Sequence, residues 1–394
     1  FTKIFRTLRP ALFIDNHVSN GADYQYTLTH LFTQHNKLGG ALGDYLHQTF
    51  MPALEDSLAQ KNWDITPYVN VFNSTPDQGF KQFFDSPRYS TGYTTLFNTL
   101  GMMVETHMLK PYKKRVEGTY ELMKTFIAIA EKEAEQIKKL SRYSKSSYPV
   151  GGAYPISWKI DSSKTTMLNF KGYTGTLVSS KVTHSNRLKY NRNLPFTKKV
   201  AYQNYYLPDK KIRIPESYIV PKSWWRIVEL LKLNQIEMVP IKKDTMIEAT
   251  VYKIENFETV QNPYEGHYLH YNTQVSTKKE RIQVSAGDYR ITTQQEGVRY
   301  LLETLEPSAT DSFFNWNFFD TILQQKEGFS PYVWEDKAFE LLENNPALQK
   351  EFERKKNKDP LFAKNAYEQL DWIHKQSDHY EKAHLQYPVY RITN

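Results

Sequence analysis

Apolar runs alternate with helical patterns up to about Tyr143, and this alternation is the feature that most limits the fold. The runs "ALFIDNHV" and "LFNTLGMMVET" have the length and composition of buried strands. Between them, residues 38–60 predict a helix that is interrupted near Pro52. After Pro111 apolar residues recur at spacings of four and three, as on one face of a long helix. Strands that alternate with helices in this way predict an α/β sheet.

The character of the sequence changes twice along the chain. A stretch rich in Ser, Gly and Pro, residues 141–155, follows the long helix and is typical of a connection between domains. Short runs rich in Val, Ile, Thr and Tyr then predict mostly β structure, with one helix at about 223–234. We therefore expect an α/β domain over 1–145, a β-rich domain over 146–310 and a helical segment over 311–394 packed on both.

Composition excludes several classes of protein and site. The 51 Lys and Arg exceed the 43 Asp and Glu, but the basic clusters are short, scattered and mixed with acids, so we expect no nucleic-acid partner. The chain has no cysteine, which excludes disulfides and thiolate ligands. No apolar run reaches the roughly 18 residues that span a bilayer, so no transmembrane segment is predicted.

His17 and Glu105 each follow a predicted buried strand. The ends of strands in open α/β sheets are rigid and face a cleft, so polar groups there are candidates for a site. His17 is a candidate metal ligand, and a structural, hydrogen-bonded histidine is the alternative. A carboxylate is costly to bury without a partner, which leaves two interpretations of Glu105. It is either the general base beside a metal-bound water or half of an ion pair at the sheet edge.

Three segments together resemble the M14 (funnelin) family of zinc carboxypeptidases. They are "FIDNHVSNGADYQY", "SPRYSTGYTTLFN" and "GMMVETHMLKPYKKRVEGTYELM", and they occur in the order strand-end His, loop with Tyr, strand-end Glu and closing helix. The resemblance covers roughly residues 1–145 and corresponds to the later half of the catalytic domain. It is closest to large exported bacterial members with a further domain, whose sequences also resemble "YEGHY" and residues 301–320. The resemblance implies half of a mixed-sheet α/β domain.

The resemblance also implies roles for particular residues. His17 corresponds to the third zinc ligand and Glu105 to the general base that carries the proton to the leaving amine. Tyr89 best resembles the loop tyrosine that closes over substrate, with Arg88 and Tyr93 as nearby substrate-binding residues. The implied activity is removal of residues from the carboxyl end of peptides, with cell-wall peptides as one candidate substrate. The implied location is exported: periplasmic, outer envelope or secreted.

The chain departs from the family pattern at the first two zinc ligands. The family takes them from His-x-x-Glu, and none of the 11 histidines here is followed three residues later by Glu. His267 with His270, and Glu381 with His384, are poor substitutes because the first pair is predicted on opposite faces of a strand and the second on a solvated surface. We therefore expect the other two ligands upstream of residue 1, in an upstream portion of the same protein. The alternative is a catalytically inactive cell-envelope protein that binds peptide or glycan.

Overall fold

The structure is a computed structural model that describes residues 1–145 and 147–393. The helices are α1 (Thr2–Leu8), α2 (His35–Leu38), α3 (Gly40–Tyr45), α4 (Met51–Ala59), α5 (Ser90–Thr95), α6 (Tyr112–Lys132), α7 (Ala134–Lys145), α8 (Trp225–Leu233), α9 (Val298–Leu305), α10 (Pro331–Glu343), α11 (Pro346–Lys358), α12 (Pro360–Lys364) and α13 (Ala366–His374). The strands are β1 (Leu12–Ser19), β2 (Leu28–Phe32), β3 (Ile65–Pro67), β4 (Phe80–Lys81), β5 (Leu100–His107), β6 (Ala153–Pro155), β7 (Trp158–Ile160), β8 (Thr166–Ser179), β9 (Asn186–Gln203), β10 (Tyr206–Pro208), β11 (Lys211–Arg213), β12 (Ser217–Val220), β13 (Val239–Pro240), β14 (Thr245–Thr259), β15 (His270–Val284), β16 (Tyr289–Thr292) and β17 (Tyr390–Ile392).

The first part of the chain builds a four-stranded mixed sheet in the order β1-β5-β2-β3. β1 and β5 are parallel, whereas β2 is antiparallel to β5. Alternate residues of β5, Leu100, Met102 and Val104, join a core with side chains of α4 and α6. The opposite face of β5 lies against α5, since a Cβ on Gly101 would meet Thr94 at 2.8 Å. The predicted α/β sheet is confirmed.

The predicted helix over 38–60 forms as three helical pieces. One turn of π-helix, Leu46–Phe50, joins α3 to α4. Pro52 lies in the first turn of α4, directly after this π-helical turn, so the irregularity is where the sequence predicts an interruption. The predicted strand over 96–106 begins later, at Leu100, because Asn98 has a left-handed backbone with φ of 56° that breaks the extended chain.

The β-rich part contains a six-stranded sheet and a long hairpin. The sheet order is β13-β16-β12-β17-β14-β15, and the hairpin of β8 and β9 adds β4 from the first part as a third strand. Tyr24 and Phe80 of the first part share a buried cluster with Phe170 and Val200 of the hairpin. The hairpin therefore packs directly against the loops and the short strand β4 of the first part of the chain. The predicted helix near 223–234 is confirmed as α8.

The last part of the chain is helical only in its middle. α10 to α13 enclose a small core around Trp334 and Phe352. The chain then returns as β17, which pairs with β12 and β14 inside the six-stranded sheet. Residues 311–319 form turns rather than a helix, although Phe313 and Phe319 are buried as their apolar character suggests. In the described ranges, no helix is both long and apolar enough to cross a membrane.

Two stacked histidines beside the π-helical turn predict acid sensitivity. His35 is buried, its ring lies 4.0 Å from that of His47, and burial with the nearby charge of His47 lowers the pKa of His35 to about 3. The unfolded chain takes up a proton near the ordinary value of about 6.5, whereas the folded chain does not. The free energy of unfolding should therefore fall by about 1.4 kcal/mol per pH unit below that value, until the pH approaches the folded pKa.

Chemical unfolding of the wild-type chain and a His35→Gln variant at several pH values would measure this contribution. The variant should lose the extra pH dependence, while His184→Gln, in an exposed turn of the hairpin, should retain it. Parallel pH profiles for wild type and His35→Gln would contradict the assignment.

Candidate metal-ligand and general-base site

The ends of β1 and β5 bring His17 and Glu105 side by side. The two strands are parallel, and His17 is the direct register partner of Glu105. Side chains of register partners project from the same face of a sheet, and residues two apart on one strand share that face. Asp15 therefore lies on the same face as His17 and Glu105. The structure thus brings together the two residues that the sequence predicted from separate strand ends.

The hydrogen bond of His17 to Asp15 determines which ring nitrogen is free. His17 Nε2 lies 3.0 Å from Asp15 Oδ2. Burial raises the pKa of Asp15, but hydrogen bonds from Ser90 and His17 outweigh burial and hold that pKa below its ordinary value. An ionised carboxylate only accepts, so the ring proton belongs on Nε2 and the lone pair on Nδ1. Metal-binding histidines are commonly held by a carboxylate in this way.

Glu105 combines burial with an unsatisfied oxygen. Its side chain is buried, and Oε2 has no hydrogen-bond partner among the described residues. Burial raises the pKa of Glu105, and the charge of Asp15 raises it further, while His17 opposes the shift. A carboxyl group whose pKa is moved toward neutrality is suited to accept and return a proton. An ion pair at the sheet edge, the alternative for Glu105, does not form with any described Lys or Arg.

A threonine contacts the backbone of Glu105, and two phenols are close enough to be affected by its charge. Thr29 on β2 is its register partner and donates its hydroxyl to the Glu105 carbonyl at 3.0 Å. Burial raises the pKa of Tyr24 to about 12 and also raises that of Tyr68, and the charge of Glu105 adds to both shifts. Both phenols therefore remain protonated near neutral pH and can donate hydrogen bonds. Sequence reasoning did not select these residues, because they come from segments whose proximity depends on the fold.

The loop before α5 connects to this site through Ser90. Ser90, the first residue of α5, donates its hydroxyl to Asp15 Oδ2 at 2.6 Å. Tyr89 immediately precedes it, is half-buried and packs edge-on against Phe83 at 5.1 Å between ring centroids. The loop tyrosine predicted from the sequence is thus adjacent to the group that holds His17. Its role toward substrate stays a prediction.

Arg88 and Tyr93 are engaged in contacts within the protein. Arg88 Nε and its backbone N–H donate to the two carboxylate oxygens of the buried Asp311, at 2.8 and 2.9 Å. Tyr93 packs against Phe5 and donates its hydroxyl to Asn234 Oδ1 at 2.6 Å. These contacts use part of the Arg88 guanidinium and the Tyr93 hydroxyl. The predicted substrate-binding roles of both residues are not tested by the structure.

The residues present suit one side of a zinc site. His17 Nδ1 accepts no hydrogen bond from the described residues, its side chain is 45% exposed, and its Nε2 is fixed by a carboxylate. These properties fit a zinc-binding histidine, since zinc in proteins binds neutral imidazole nitrogen. A complete zinc site needs at least three protein ligands. Within residues 1–145 and 147–393, no group of three or more His, Asp or Glu side chains is placed to hold a metal ion.

The comparisons with known proteins give no assignment. No family model matches this chain. Neither a curated protein nor a solved structure matches it at a significant level.

Proposed function

We propose that this chain forms part of a zinc-dependent carboxypeptidase-like hydrolase, which removes residues from the carboxyl end of peptides. Cell-wall peptides are one candidate substrate. The observation that carries the proposal is the direct register pairing of His17, with its Nδ1 lone pair free, and the buried Glu105. The resemblance of the sequence to M14 carboxypeptidases supports the same reading.

The proposed reaction uses a zinc ion, when bound, together with side chains of β1 and β5. Zinc, when bound, supplies a Lewis acid that polarises the scissile carbonyl and acidifies the attacking water. His17 would hold the metal ion through Nδ1, and Asp15 holds the His17 ring by accepting a hydrogen bond from Nε2–H. Glu105 accepts a proton from the attacking water at its free oxygen and donates it to the nitrogen of the leaving amine. The phenol of Tyr68 can donate a hydrogen bond within the same buried surroundings.

The missing ligands are proposed to come from an upstream portion of the same protein. β1 is an edge strand of its sheet, so one row of its backbone N–H and C=O groups pairs with no other described strand. Next to it, Met123 of α6 contacts Asn16 of β1. Five apolar residues at helical spacing on α6 are exposed: Tyr112, Val116, Tyr120, Met123 and Ile127. A further portion of polypeptide packed here would cover both the edge and the apolar stripe.

Export is part of the same proposal. Its support is the resemblance to exported bacterial members and the absence of cysteine, which suits an oxidising compartment.

The second candidate function is an inactive cell-envelope protein that binds peptide or glycan. The observation that favours it is the lack of a three-ligand cluster among the described residues, together with the engagement of Arg88 by Asp311. Exposed aromatic side chains such as Tyr264 and Tyr268 would then provide a binding surface.

Zinc content and intact mass of the purified native protein separate the two candidates. The carboxypeptidase proposal predicts about one zinc per molecule, in a species with more mass than the 46.4 kDa of this chain or with an accompanying second fragment. His17→Gln should lose the zinc, whereas His184→Gln should keep it. A species of 46.4 kDa without zinc would overturn the proposal for this chain and favour the binding protein.

A further inference from the structure

A hydrogen-bonded chain of three side chains leads from α5 to the candidate zinc ligand. Ser90 Oγ donates to Asp15 Oδ2 at 2.6 Å, and His17 Nε2 lies 3.0 Å from the same oxygen. Asp15 and His17 are on β1, whereas Ser90 begins α5, which packs over that face of the sheet. One carboxylate oxygen therefore receives hydrogen bonds from a strand and from a helix.

The two donors restrict the carboxylate and the imidazole together. A hydrogen bond from Ser90 limits the rotation of the Asp15 side chain, and a fixed acceptor then selects the Nε2–H tautomer of His17. Without Asp15, the ring of a half-exposed histidine on an edge strand would be free to rotate and to exchange tautomers. The position of Nδ1 thus depends on a residue of another element.

The segment that carries Ser90 is itself firmly held. Thr91 donates to the buried Asp85, and Arg88 is bound to Asp311 from the later part of the chain. A Cβ on Gly92 would lie 2.0 Å from the Ser86 carbonyl oxygen, so only glycine allows this close approach. The backbone on both sides of Ser90 is therefore held by contacts to Asp85, Ser86 and Asp311.

We propose that Asp15 and Ser90 are positioning residues that hold His17 in its Nε2–H tautomer and so present Nδ1 to a divalent metal ion. The significance for metal binding rests on the proposed function, but the tautomer does not. The salt bridge of Arg88 to Asp311 contributes to this positioning, because it ties the segment before Ser90 to the turn region after α9.

NMR of the chain with ¹⁵N-labelled histidine tests this proposal, because it reports the tautomer of His17. The spectra are recorded at a pH above the ordinary histidine pKa of about 6.5. The signals of His17 are assigned by their loss in His17→Gln. We expect a single Nε2–H tautomer in the wild type, a mixture of both tautomers in Asp15→Ala, and a smaller shift toward the mixture in Ser90→Ala. Ser90→Thr keeps the hydroxyl and should restore the wild-type pattern.

Asn16→Ala is the matched control for β1, because Asn16 lies between the two residues but on the opposite face, next to Met123. It should leave the tautomer of His17 unchanged. A wild-type spectrum with Nδ1–H, or with both tautomers, would overturn the proposal without any variant. An unchanged spectrum in a folded Asp15→Ala variant would also overturn it. An unchanged His17 spectrum in Ser90→Ala would show that Ser90 does not help to hold His17.

Zinc affinity of the native protein tests the proposed function separately. Loss of an outer-shell partner typically costs 10–100-fold in metal affinity, so Asp15→Ala should weaken zinc binding by about that factor. A changed tautomer with unchanged zinc affinity would confirm the positioning role and reject His17 as the ligand. An unchanged tautomer with weakened affinity would reject the positioning role alone.

Discussion

Glu105→Gln should reduce peptide hydrolysis by about 10²- to 10⁴-fold in protein that carries zinc, while its zinc content stays the same. Glutamine has nearly the same shape as glutamate, but its side chain cannot accept and return a proton at neutral pH. Glu105 is buried with one unsatisfied oxygen, so no other described group is hydrogen-bonded there to replace it. Release of C-terminal residues from a peptide, with zinc measured on the same sample, tests this.

Glu117→Gln provides the control, because Glu117 is an exposed glutamate on α6 whose ion pair with Lys113 spans 3.8 Å. Its activity should equal that of the wild type. Because burial raises the pKa of Glu105, the loss of wild-type activity on acidification should also begin above the ordinary glutamate value of 4.5. Full activity in Glu105→Gln would contradict the assignment of Glu105 as general base, whatever the zinc content.

Glu303→Gln should destabilise the chain by about 3–5 kcal/mol, the range typical of breaking a buried ion pair. Glu303 on α9 accepts from Lys37 Nζ at 2.9 Å and from the Tyr154 hydroxyl at 2.6 Å. Lys37 is 4% exposed and Arg299, one turn earlier on α9, is 1% exposed. Glutamine would leave buried Lys37 without its ion-pair partner and would remove a negative charge close to buried Arg299. Asp85 also lies near Lys37, but burial raises its pKa to about 7, so it is only partly ionised at neutral pH.

Chemical unfolding at constant pH would measure this difference in free energy. Glu229→Gln is the control, since it makes the same change on α8, where Glu229 and its partner Lys232 are both more than half exposed. Exposed pairs contribute about 0–1 kcal/mol, so the control should be close to wild type. Equal stability of Glu303→Gln and Glu229→Gln would show that Lys37, Arg299 and Glu303 do not act as a buried network of charges.

Much of the fold follows from local patterns in the sequence. The apolar run before Asp15 and the run before Glu105 predict β1 and β5, because buried strands need apolar residues on both faces. The prediction of a buried strand is confirmed for β5 and wrong for β1, which lies at the edge of the sheet and is mostly half-buried or exposed. The spacing of apolar residues after Pro111 predicts α6, but the predicted apolar stripe is exposed, and α6 packs on the sheet through Leu122 and Phe126 instead. β17 carries no comparable signal, since three residues become a strand only because β12 and β14 leave space between them.

The candidate site is only partly visible in the sequence. His17 and Glu105 stand out as polar residues at the ends of apolar runs, and the spacing of two places Asp15 on the same face as His17. Ser90, Tyr24 and Tyr68 carry no such signal, because hydroxyl groups in loops are common and their partners are distant in the chain.

Local sequence patterns were enough to place His17 and Glu105 near the ends of two strands and to show which chemical groups lie there. The tertiary structure alone decided the register that places His17 beside Glu105, the contact that ties Ser90 to Asp15, and the binding of Arg88 by Asp311. These features differ because they depend on residues at different separations along the chain. Strand and helix patterns arise from neighbours a few residues apart, whereas register, burial and the pairing of charges depend on the packing of segments far apart in the chain.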